Sequence, residues 1–130
     1  MKNALPTIIY RPMRPAEDGH PALGASLSTL GVRSGKDIPV ADDGVVQPKS
    51  GGMSVTPDRW RDVPQPLLPR SLGGEGRHPL FCLEIEALPL DLVARVDRPR
   101  HANVEPVAVC QFDEFNAAVQ ATRCDWRPHE

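Results

Sequence analysis

Residues 51–55 read GGMSV, a short apolar stretch carrying one serine, set between a Pro/Lys/Ser loop and a proline-rich tract. Two glycines in a row make the entry permissive, because without a Cβ the chain takes up conformations closed to other residues. Pro57 then ends regular pairing. The stretch predicts a brief strand, Met53-Ser54-Val55, with a small hydroxyl on it. Gly51 and Gly52 would let a ligand or a neighbouring backbone come close; the plain alternative is a turn entering a core strand whose serine meets its neighbour's backbone.

Upstream, LPTIIYR at 5–11 is rich in β-branched and aromatic residues, which suits a strand, and Pro12 stops it. Residues 12–24 hold three prolines and two glycines and read as loop. Ala25, Leu27 and Leu30 would line one face of a short helix ending at Gly31. From 32 to 52 turn signals dominate, and only Val45-Val46 reads as extended.

Downstream, residues 57–79 carry five prolines and three glycines, so they are loop or extended chain. LFCLEIEAL at 80–88 alternates, with Leu80, Cys82, Glu84 and Glu86 facing one way and Phe81, Leu83 and Ile85 the other. Residues 92–96 and 104–109 are further strands, the second interrupted by Pro106 and therefore at an edge or a bulge. The one clear helix runs from Phe112 to Arg123, where Phe112, Phe115, Val119 and Thr122 recur at spacings of three and four. Asp113 and Glu114 near its start and Arg123 near its end suit the helix dipole, and Trp126 anchors the chain beyond it. The expected fold is α+β: one domain spanning 1–130, with a small mixed or antiparallel sheet, long Pro/Gly-rich ordered loops and a C-terminal helix.

Composition narrows the function classes. Fifteen basic and seventeen acidic side chains nearly cancel without forming blocks, so neither nucleic acid nor an anionic membrane is an expected partner. No apolar run approaches the ~20 residues that span a bilayer. Met1-Lys2-Asn3 is not followed by an apolar segment of signal-peptide length. Cys82, Cys110 and Cys124 are odd in number and lack a CxxC spacing, which argues against a disulfide framework or a cysteine zinc site and for a cytoplasmic working compartment. No set of His, Cys, Asp and Glu at short spacing suggests a metal.

The chemistry-bearing residues lie on or beside the short strands. Tyr10-Arg11 ends the first; an arginine fork there suits a phosphate or carboxylate, or else packs its stem on the surface. Ser54 can hydrogen-bond a ligand hydroxyl or phosphate. His101, Asn103 and Glu105 alternate through HANVE, so an extended backbone aims all three the same way. His101 is a candidate acid/base or orienting group. Glu84 and Glu86 share a strand face and read most simply as its solvated side.

In order, a strand ending in Tyr10-Arg11, a long loop to Gly51-Gly52-Met53-Ser54-Val55, and a late His101 before a Pro106-containing strand and terminal helix resemble a group of small bacterial type VI secretion toxins with an ADP-ribosyltransferase-like fold. The resemblance implies a dinucleotide cleft. Arg11 is similar to that superfamily's first-strand basic residue, Met53-Ser54 to its serine-containing strand motif, and His101 to the histidine before its last strand. It further implies NAD as the small-molecule partner and substrate, bound by Tyr10, Arg11, Gly52, Met53 and Ser54, with catalysis by Ser54, His101 and a glutamate. Glu105 and Glu84 compete for that last place. Tyr10 or Trp60 would stack on a base, and an immunity protein would hold the toxin in its producer. The alternative from another class is a non-catalytic interaction module presenting its Pro-rich loops to a protein.

Overall fold

The computed structural model describes residues 5–129, so the reading of Met1-Lys2-Asn3 lies outside the described residues. The described residues form strands β1 (Ile8–Pro12), β2 (Val45–Val46), β3 (Met53–Pro57), β4 (Leu80–Glu84), β5 (Leu92–Arg98), β6 (His101–Pro106), β7 (Cys110–Gln111) and β8 (Arg127–Pro128), with one α-helix, α1 (Phe112–Gln120). Six strands build one sheet in the order β5-β6-β3-β1-β4-β8, and β2 pairs with β7 apart from it. Every pairing between these strands is antiparallel, while three isolated bridges outside them are parallel. The architecture is α+β, a mostly antiparallel sheet with a single C-terminal helix. No helix among the described residues is long and apolar enough to cross a membrane.

The alternation of side chains sorts the sheet into two faces. Ile9, Met53, Val55, Phe81, Leu83, Ala94, Ala102 and Val104 enter the main core together with Phe115, Val119 and Trp126. Complete burial of a large aliphatic or aromatic side chain stabilises by roughly 1.5–3 kcal/mol, so this face accounts for most of the fold's stability. Tyr10, Leu80 and Cys82 point the other way, into a smaller cluster with Val63 and Leu68. Trp126 is buried as the sequence predicts, and its indole N–H donates to Thr122 Oγ1 at 3.0 Å. Gln111 and Glu114 close a reciprocal capping box at the start of α1, which fixes where the helix begins.

Three expectations about elements change. Residues 25–31 are turns and an isolated bridge, not helix. Hydroxyls win there: the Ser26 N–H donates to Thr29 Oγ1 and the Ser28 N–H to Ser26 Oγ, offering the backbone a local alternative to helical bonding. The strand in 80–88 ends at Glu84, and Ile85–Ala87 form a 3-10 turn; the strand in 104–109 lies earlier, at His101–Pro106.

The course of β3 positions the site. Its first three residues pair with β6 (Met53 with Val104, Ser54 with Asn103, Val55 with Ala102), whereas Thr56 and Pro57 pair with Tyr10 and Ile9 of β1. Beyond Tyr10 and Thr56 the two strands no longer pair. The glycines of GGMSV serve the chain's own packing: a Cβ at Gly52 would sit 2.1 Å from the carbonyl oxygen of Val104, and one at Gly51 2.3 Å from that of Asp37.

Candidate functional site

Ser54 lies between Met53 and Val55, both of which enter the main core, so its side chain emerges on the opposite face of the sheet. Asn103 is its cross-strand partner on β6, and His101 stands two residues along on the same face. Ser54 Oγ and His101 Nε2 are 3.2 Å apart. The other ring nitrogen, Nδ1, is 2.6 Å from Asp97 Oδ1. An ionised carboxylate only accepts, so Nδ1 carries the hydrogen and Nε2, when the ring is neutral, accepts from the serine hydroxyl. Hydroxyl, imidazole and carboxylate form one hydrogen-bonded chain.

Asp97 sits at a bulge. Val96 pairs with Ala102 and Arg98 with His101, so Asp97 is the extra residue of β5. Arg95 pairs with Asn103, and alternation from Arg95 places Asp97 on the face that carries His101. The connecting turn places Arg100 at φ 66°, in the left-handed region that few non-glycine residues occupy. Asn103 Nδ2 donates to the second oxygen, Asp97 Oδ2, at 3.1 Å. Burial pushes the Asp97 carboxyl up, but the hydrogen bond from His101 and the charges of His101 and Arg98 outweigh it and hold the group below its ordinary range.

A cavity of about 90 Å³ opens beside Ser54 and His101, walled by Tyr10, Leu27, Thr56, Val63 and Leu67. A second hollow of about 420 Å³ shares Pro12, Leu27 and Leu67 with it and extends to Glu75, Arg77 and His78. The two hollows adjoin at Pro12, Leu27 and Leu67, and both leucines are exposed.

The other sequence-nominated residues fall as follows. Arg11 is 4% exposed and fills the divergence between β1 and β3. Its Nη1 donates to the Ser54 carbonyl at 2.7 Å, Nη2 to those of Ser26 and Thr29 at 2.9 Å each, and Nε to that of Thr29 at 3.2 Å. Burial lowers its pKa to about 10, which leaves it charged at neutral pH. The guanidinium therefore meets the main chain of residue 54, not its hydroxyl. Tyr10 borders the cavity, 7% exposed, with its ring edge-on to His129 at 5.4 Å. Trp60 leans on the same His129 and carries the Arg61 guanidinium over its face at 4.6 Å. Met53 is buried in the main core, and Gly52 meets the backbone of Val104. Neither lines the cavity.

Glu105 is 1% exposed and is clasped by Arg95, with Nη2 at 2.7 Å and Nε at 2.9 Å from Oε2, while its Oε1 accepts from the Lys49 N–H at 3.1 Å. Four residues of extended strand, roughly 13 Å, separate it from His101. Glu84 is exposed and pairs with Arg127 at 2.8 Å. Thus the fold brings Ser54 and His101 together and adds Asp97, which sequence reasoning passed over. The available signal was DRPRH at 97–101, where an acid and a histidine flank a proline-containing turn and therefore face one another across a hairpin.

Among the described residues no group of three or more His, Cys, Asp or Glu side chains is arranged to hold a metal ion. No protein-family model, curated protein or solved structure matches this chain.

Proposed function

We propose that this chain is a small toxin-type enzyme with an ADP-ribosyltransferase-like fold that consumes NAD inside a target cell, and that an immunity protein restrains it in the cell that makes it. The observation that supports this reading is the Ser54–His101–Asp97 chain, whose serine and histidine line a cavity that adjoins a larger hollow. Cleavage of the nicotinamide–ribose bond sends the bonding pair to the nicotinamide nitrogen and positive charge to the ribose. Water, or an acceptor hydroxyl, then adds to the ribose and gives up a proton. His101 Nε2 is placed to take that proton as general base, the Ser54 hydroxyl to orient the nucleophile or a ribose hydroxyl, and the Asp97 carboxylate to stabilise the imidazolium that results. In this scheme Arg11 shapes the cleft by fixing β3 against residues 26–29.

Expression in a bacterium tests the proposal. The wild-type chain is expected to arrest growth and deplete the NAD pool, with Ser54→Ala doing neither; an undisturbed pool in wild-type cells refutes it.

The order carboxylate, imidazole, hydroxyl favours one second reading, in which Ser54 is an acyl-transfer nucleophile that attacks a carbonyl carbon as its proton passes to His101. A groove with cationic side chains at its far end suits an anionic dinucleotide better. Covalent labelling of Ser54 by a fluorophosphonate, with no loss of NAD, would favour the second reading.

A further inference from the structure

Arg11, the residue whose fork sequence reasoning assigned to an anion, has its donors directed at three main-chain carbonyls. A phosphate lying in the groove must find its cation elsewhere. Apart from Arg11 and His101, the positively ionisable side chains lining the two hollows are Arg77 and His78, both on the larger hollow, which Ser54 does not line. Arg77 is exposed, and it takes part in none of the ion pairs among the described residues. Leu27 and Leu67, 57% and 47% exposed, line both hollows and offer an apolar surface suited to a flat ring or a sugar face.

From these positions we propose that Arg77 and His78 form a phosphate subsite, so that the groove takes a phosphate ester with its reacting end at Ser54 and its phosphates beside the Arg77 guanidinium. This deepens the NAD reading and rests on it for the identity of the ligand. Glu75 borders the same hollow and opposes the anion, so removing its charge strengthens binding. Fork-like pairing of a guanidinium with phosphate is directional as well as electrostatic, so lysine recovers only part of what arginine provides.

The experiment uses the full chain with two probes, NAD and inorganic pyrophosphate, followed by calorimetry and by amide NMR shifts. Arg77→Ala is expected to weaken NAD binding about tenfold or more, Arg77→Lys to recover part of that, and Glu75→Gln to tighten it. Pyrophosphate is expected to shift the amides of residues 76–78 and to compete with NAD. If wild type binds NAD and Arg77→Ala binds it equally well, the subsite is refuted while the NAD reading stands. If NAD does not bind but pyrophosphate shifts residues 76–78, the subsite stands and its ligand is another phosphate ester. If neither probe binds, both are overturned.

Discussion

Asp97 and His101 face each other across the β5–β6 turn at 2.6 Å, beside a one-residue bulge in β5. In a regular ladder Asp97, which follows Val96, would itself pair with His101; with the bulge Arg98 takes that pairing, and the Asp97 carboxylate still meets Nδ1. The imidazole held in this way meets Ser54 through its other nitrogen. The functional reading rests on this geometry.

The pair has a defined acid dependence. The Asp97 carboxyl is held below the ordinary value of 3.8, so the folded state binds its proton less readily than the unfolded chain does. Stability from this group is present above the unfolded value and lost as pH falls through the lowered folded one. Asp97→Asn should therefore melt below wild type at neutral pH, with the gap closing under acid conditions beneath the carboxylate range. Paired thermal melts across pH check this; a gap that widens in acid contradicts it.

Arg11 is expected to behave as a structural residue. Arg11→Ala leaves three carbonyl acceptors without their donor in a buried setting, a cost of about 3 kcal/mol or more. For a domain of this size that lowers the melting temperature by roughly 10 °C. Calorimetric melting is the measurement. An unchanged melting temperature would return Arg11 to the role of a free ligand-binding cation.

Glu105 should separate from catalysis in the same manner. Glu105→Gln weakens the clasp by Arg95 and costs about 2 kcal/mol, while NAD consumption per folded molecule stays near wild type. Asp97→Asn is expected to give the reverse ratio, with a small stability loss and a large activity loss. Activity normalised to the folded fraction distinguishes the two carboxylates.

The sheet was legible where side-chain period and breakers agreed. The residues of β1, β3 and β4 and the face of α1 could be read from alternation, from Pro12 and Pro57, and from the spacing of Phe112, Phe115 and Val119. The segment 25–31 misled because Ala25, Leu27 and Leu30 mimic a helical stripe while the intervening hydroxyls bond locally. Ser54 and His101 were both nominated from their strand positions, but the connection between them depends on which strands become neighbours, and pairing of residues 47 apart has no local signature. Asp97 lies just beyond the strand expected at 92–96, and only when DRPRH is read as the turn of a hairpin does it come to face His101. The fate of Arg11 was hidden for a related reason: its acceptors are main-chain carbonyls of loop residues, which carry no side-chain code.

The most direct test is the release of nicotinamide from NAD by the purified chain, compared with Ser54→Ala, His101→Gln and Asp97→Asn, each verified as folded by circular dichroism. Wild type is expected to turn NAD over, and each variant to lose about a hundredfold or more. Turnover that survives all three substitutions, or a folded wild-type protein that releases no nicotinamide, would contradict the account.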